Sequence, residues 1–288
     1  METISPAIPC PNQAPQCAAA SISTHETMAR VLQMFEPDSA DQPVAAKFPV
    51  LLRRVHAGES LVHEGAPADA IFFVRLGTFK VFRIAEDGYE QVLAFAVRRE
   101  VLGFEALCAA SYPAAMQALE DSTVYVIPRC EIAQLSHALP SFALVLQRAG
   151  SLTLTHSREL VDILAAVASD VRLARFLIQL SKRMAACGQS PRRFLLRMGR
   201  REIASLLGVA HETVSRCFSA LAAMGFLYVN DREIDILDMN GLKAFSRSTR
   251  RQTDDAPGPR HPGLVRPTGR TPVRALAHPS GLMPGGAI

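Results

Sequence analysis

The stretch MGRREIASLLGVAHETVSRCFSALAAMGFLYVNDREIDIL, residues 198–237, leaves the backbone few choices. Ile203, Leu206 and Leu207 recur at helical spacing, and Gly208 then breaks the helix with Val209 filling the turn. A second helical pattern runs from about Glu212 to Met224, with Val214, Phe218, Leu221 and Ala222 on its inner side. Gly225 suits the left-handed residue that ends such a helix. Two short β-prone runs follow, Phe226–Val229 and Ile234–Leu237, joined by the polar turn Asn230-Asp231-Arg232-Glu233. Helix, tight turn, helix and two-stranded wing together predict a winged helix-turn-helix.

The outward face of the second helix carries the chemistry. Glu212, Ser215 and Arg216 stand at i, i+3 and i+4, so they share one face near the helix N-terminus. That end of a recognition helix enters the DNA major groove. Arg forks onto guanine O6 and N7, Glu accepts from cytosine N4, and Ser serves several bases or a phosphate. The bland alternative is a Glu–Arg pair that merely stabilises a surface helix.

RREIASLLGV followed by HETVSR resembles the CRP/FNR superfamily of bacterial transcription regulators, and the Glu-x-x-Ser-Arg form resembles its FNR branch. The likeness covers roughly residues 45–248. It implies a homodimer that reads a TTGAT-like inverted repeat in double-stranded DNA, with RNA polymerase as a partner. Under it Arg200, Arg201, His211 and Thr213 are phosphate-contact candidates, and Asp87-Gly88 is a candidate polymerase contact. Read as residues alone, Asp87-Gly88 is an exposed hairpin-type turn.

Composition sets looser bounds. The 288 residues carry a net charge of +4, too little by itself to prove nucleic-acid binding. Arg192, Arg193, Arg197, Arg200, Arg201 and Arg216 crowd the reading unit, as phosphate attraction needs. No signal peptide or membrane-spanning run is visible, so a cytoplasmic protein without membrane contact is expected. No nucleophile elbow, phosphate loop or zinc-ligand spacing appears, which argues against an enzyme.

The predicted class is α+β. Residues 1–40 form a poorly ordered arm with a short helix around 25–35, and 41–138 a jelly-roll-like β-roll of the cyclic-nucleotide-binding kind. Residues 139–168 are the dimerisation helix, 169–248 the winged helix-turn-helix, and 249–288 a disordered Pro/Gly/Arg-rich tail. Strands are expected at 51–55, 60–63, 70–76, 79–84, 91–97 and 123–127. Pro140 opens a long helix with two apolar stripes. One contains Phe142, Ala149, His156 and Ile163; the other contains Leu154, Val161 and Leu164, which are assigned to the dimer interface. Ser169 or Asp170 caps the next helix, whose inner face is Leu173, Phe176, Leu177, Leu180 and Met184.

Four sensor readings arise, and two of them stay open. The resemblance implies that a cyclic nucleotide would be held by an arginine near 113–118, and none is present. A four-iron cluster would need more than Cys10 and Cys17, and the family's central cysteine position is Tyr125 here. No cofactor and no metal are therefore expected. A reactive thiol remains an alternative, with Cys217 beside Arg216 as the possible redox residue. A small-molecule receptor in the β-roll is another.

Overall fold

The computed structural model describes residues 25–247. Cys10, Cys17, most of the arm and the Pro/Gly/Arg-rich tail lie outside the described residues.

Two antiparallel sheets form the N-terminal half. One has the order β1(His25–Thr27), β2(Pro49–Val55), β9(Ser122–Pro128), β4(Ala70–Leu76), β7(Val101–Leu102). The other has the order β3(Ser60–Val62), β8(Ala115–Ala118), β5(Phe79–Ile84), β6(Glu90–Ala96). β2 alternates over its first half as a half-buried strand should, with Val50 and Leu52 inward, and Val55 is buried at its end. β4 does not alternate, because both of its faces are covered: Ala70 to Val74 are all buried. Phe72 approaches Tyr112 on one side, while Phe73 meets Phe35 and Phe142 on the other. The Tyr112 hydroxyl donates to the Ala70 carbonyl at 2.6 Å, which satisfies a polar tip inside this core.

All six expected strands are present, two with the expected bounds and four with ends shifted by one or two residues. Three short strands, β1, β7 and β8, were not expected; each is too brief to show a period. The boundary of the arm needs correction. Within 1–40, α1(Met28–Phe35) follows β1, and Met28, Val31 and Leu32 are fully buried against the β-roll. Those apolar side chains anchor the segment from residue 25 onward. A further short helix, α2(Gln42–Ala45), leads into β2.

α3(Arg129–Ala138) precedes α4(Pro140–Ala165), which Pro140 opens as expected. The first stripe of α4 packs inward, with Phe142, Ala149 and Ile163 buried. The second faces out: Leu154 is 62% and Val161 68% exposed. α5(Ser169–Ala186) buries Leu173, Phe176, Leu177 and Leu180. Its capping differs from expectation: Ala168 holds the N-cap position, and Asp170 is buried in the first turn. Among the described residues, no helix is long and apolar enough to cross a membrane.

Candidate DNA-reading surface

α6(Arg200–Leu207) and α7(His211–Ala223) are joined by Gly208, whose φ of 63° lets the chain turn without a Cβ clash. Ile203 and Leu207 of α6 pack with Val214, Phe218 and Leu221 of α7 in one core. The Glu202 carboxylate accepts from the Gly199 amide at 2.7 Å and so covers an orphan donor at the start of α6. Gly225, at φ 79°, ends the second helix as its sequence position predicts. The wing is β11(Leu227–Asn230) and β12(Glu233–Ile236), with Asp231 at the turn.

A third strand, β10(Arg193–Leu195), pairs with β12 and makes the wing a three-stranded sheet. In the sequence this segment stands out only for Arg192, Arg193 and Arg197. The buried series Phe194, Leu196 and Met198 has a period of two, and that was the available signal. A final helix, α8(Met239–Ser246), is capped by Asp238, whose carboxylate accepts from the Gly241 amide.

The burial of α7 sorts its residues. Val214, Cys217, Phe218 and Leu221 point inward, while His211, Glu212, Ser215 and Arg216 are exposed. The structure therefore brings Glu212, Ser215 and Arg216 together on one open face. Glu212 sits in the first turn, where a carboxylate suits the positive end of the helix, and it lies 3.3 Å from His211 Nδ1. Ser215 donates back to the His211 carbonyl at 3.3 Å. The Arg216 guanidinium makes no hydrogen bond or ion pair among the described residues, so it is available to a ligand.

The phosphate candidates separate. Arg201 and His211 are exposed and Thr213 is half-buried. Arg200 is a correction. Its guanidinium lies 3.6 Å from the Phe218 ring centroid and donates to the Asp231 carbonyl at 2.8 Å. It holds the recognition helix to the wing, and burial lowers its pKa while Asp231 opposes that shift. The basic crowd thins further, since Arg197 pairs with Glu120 at 3.0 Å and Arg193 with Glu233 at 3.9 Å.

Cys217 is a second correction. It is 3% exposed and belongs to the winged-helix core, so its thiol is turned away from the groove face. Leu154, Val161 and Leu164 lie exposed along α4, where a second copy can reach them. Asp87 and Gly88 sit in the exposed β5–β6 loop, where the Asp87 carboxylate accepts from the Tyr89 amide at 2.9 Å.

The sequence reading missed a polar junction between the two halves. The Ser205 hydroxyl accepts from the Val92 amide at 2.8 Å and donates to the Glu90 carbonyl at 2.7 Å. Lys80, 5% exposed, reaches Glu90 at 2.6 Å and Glu202 at 3.3 Å. Phe82, Val92 and Phe95 of the β-roll share a core with α5, α6 and α7. No local spacing announces pairs so far apart in the chain.

These two halves match two family models: a cyclic nucleotide-binding domain over residues 52–138 and a Crp-like helix-turn-helix domain over residues 171–245. The chain is 38% identical to the transcriptional regulatory protein Btr of Bordetella pertussis, over 66% of this chain and 78% of that one. It is 36% identical to the transcriptional activator Anr of Pseudomonas aeruginosa, over 67% of this chain and 80% of that one. The chain belongs to the CRP/FNR family. It is a DNA-binding transcription regulator of that kind. Among solved structures, FixK2 of Bradyrhizobium japonicum superimposes with a TM-score of 0.60 at 26% identity, over 68% of this chain and 96% of that one.

Two ligands suggested by the family can be tested against this CRP/FNR chain. A cavity of about 450 Å³ lies between the β-roll and α4, lined in part by Arg83, Glu105, His156 and Arg183. Its arginines are engaged: Arg83 with Glu64 at 3.1 Å, Arg183 with Glu100 at 2.5 Å, and Arg99 with the Ala186 carbonyl at 3.3 Å. β8 crosses the position where a phosphate-binding arginine was sought and supplies none. A cyclic phosphate would find no spare cation there. For an iron–sulfur cluster, the candidate ligands Cys10 and Cys17 lie outside the described residues. Tyr125 is buried within β9, and Cys108 and Cys130 are exposed on separate elements. Among the described residues, no group of three or more His, Cys, Asp or Glu side chains can hold a metal.

Proposed function

We propose that this regulator binds DNA as a homodimer at an inverted repeat with TTGAT-like half-sites, and that it does so without a bound cyclic nucleotide or iron–sulfur cluster. The observation that carries the reading is the open face of α7, where Glu212, Ser215 and Arg216 stand together and Arg216 has no partner among the described residues. The FNR-type Glu-x-x-Ser-Arg order supports the half-site, and the exposed stripe of Leu154, Val161 and Leu164 supports pairing along α4. Two-fold pairing presents two recognition helices to one face of a duplex, which is why a palindrome is read. The exposed Asp87-Gly88 turn is the proposed contact to RNA polymerase, in the activating role carried in the name of the Anr relative. The cytoplasm is the proposed location, and no catalysis is assigned.

The test is footprinting on a duplex carrying the repeat, with and without added cyclic nucleotide, alongside iron analysis of protein purified without oxygen. Protection of both half-sites by colourless, nucleotide-free protein is expected. Indifference to the palindrome overturns the reading, and iron-bearing brown protein overturns the cluster-free part.

A further inference from the structure

A second basic feature lies away from the reading surface. A cleft of about 490 Å³ opens between α1, the end of β4 and the β6–β7 turn, and Arg30, Arg75, Arg98 and Arg99 line it. Glu26 is the one carboxylate in the lining and lies 3.6 Å from both Arg30 and Arg75, while the Arg99 guanidinium donates to the Ala186 carbonyl at 3.3 Å. Arg98 is exposed, and its guanidinium has no hydrogen-bond or ion-pair partner among the described residues. Arg99 adopts a left-handed φ of 68° in the turn closed by the Glu100 amide on the Val97 carbonyl. That conformation is unfavourable for a residue with a Cβ, and the turn imposes it through this hydrogen bond and through the Arg99 amide on the Val74 carbonyl. The floor is mixed: the Arg75 guanidinium lies 5.9 Å from the Tyr125 ring centroid, and Cys187 donates its thiol proton to the Arg98 carbonyl at 2.9 Å. Burial and Glu100 raise the Cys187 pKa, so the thiol adds no negative charge of its own.

Such a cluster repels itself until an anion enters. The charges come from three separate elements and span a cleft larger than one tetrahedral anion fills. Guanidinium forks match phosphate oxygens in pairs. The chain ahead of His25 is a poor occupant, because it carries one acidic side chain, Glu2. We propose that the cleft formed by Arg30, Arg75 and Arg98, with Arg99 at its border with the β-roll cavity, binds an oligophosphate anion, at a site separate from the DNA-reading face.

The test is calorimetric titration of the full-length protein with inorganic pyrophosphate and triphosphate at constant ionic strength, with orthophosphate and sulfate as controls. Saturable binding is expected, tightest for the longer phosphates. Arg98→Ala should weaken it about tenfold, the weight of one charge-assisted contact. Arg75→Ala should act likewise, and because the Arg98 side chain is exposed and makes no hydrogen bond or ion pair among the described residues, Arg98→Ala is expected to keep the wild-type melting temperature without ligand. Arg216→Ala, on the DNA face, should bind pyrophosphate as wild type does. The proposal is overturned by an absence of saturable heat, by unchanged affinity in Arg98→Ala, or by equal binding of sulfate and pyrophosphate. Loss of binding in Arg216→Ala also overturns it, by placing the anion on the DNA surface instead.

Discussion

The Ser205 hydroxyl donates to the Glu90 carbonyl at 2.7 Å, fastening the first helix of the reading unit to the β-roll. The same oxygen accepts from the Val92 amide, and Ser205 is 4% exposed, so neither backbone group has water as a substitute. Ser205→Ala should therefore destabilise the protein by about 1–3 kcal/mol. Urea denaturation measures the loss, and amide exchange at Val92 should speed up selectively. Exchange at Val92 that stays at the wild-type rate would show that the junction is held without this hydroxyl.

Three arginines of the reading unit should behave in three ways. Arg216→Ala is expected to cost about 1–3 kcal/mol of binding and to relax selectivity at one base pair per half-site. Arg201→Ala should weaken all sequences alike and reduce the salt slope by about one. Arg200→Ala should instead lower stability by about 1–2 kcal/mol, since its guanidinium is spent on Phe218 and Asp231. Competition binding over a salt series, with thermal melting of each variant, separates the three.

Val161 is 68% exposed on the outer stripe of α4. Val161→Asp should shift the protein toward monomer, because a carboxylate cannot be buried unpaired in an apolar seam. Sedimentation equilibrium reads the shift, and the monomer should keep wild-type helicity. An unchanged dimer would move the seam off this stripe.

His156 sits between the β-roll and α5, near Glu100, Glu159 and Arg183. Burial is the largest cause depressing its pKa, Arg183 adds to it, and the two glutamates oppose. The unfolded chain therefore binds the proton first as pH falls. Stability should drop with acidification through the ordinary histidine range, down to the depressed folded value. His156→Gln should flatten the melting temperature over that interval. An identical pH profile in the variant would assign the dependence to other groups.

Thiol labelling checks the burial of Cys217. Cys108 is exposed and should react quickly with maleimide, whereas Cys217 should react only as the winged helix unfolds. Mass analysis of timed digests distinguishes them. Fast native labelling of Cys217 would restore it as a redox candidate.

What the sequence carried and what it did not divide along a physical line. The recognition helix was legible because a helix shows its inner face locally: Val214, Phe218 and Leu221 are all buried. The same phase places Glu212, Ser215 and Arg216 outward. Gly208 and Gly225 marked the turns because both adopt positive φ. The two stripes of α4 separated one packed face from one open face for the same reason. Strands of six or seven residues announced themselves, β7 and β8 are too short to display a repeat, and β10 left only the period-two series Phe194, Leu196 and Met198.

Whether Arg200 meets a phosphate or Phe218, and whether Cys217 faces the groove or the core, turns on how α6, α7 and the wing pack. Composition is silent on that packing. The same holds for the Lys80–Glu202 and Ser205–Glu90 junctions and for the gathering of Arg30, Arg75, Arg98 and Arg99. Periodicity reports only which side of one element is apolar, a property set by neighbours within a few residues. Which distant polar groups meet is set by the arrangement of whole elements, and only the folded chain decides it.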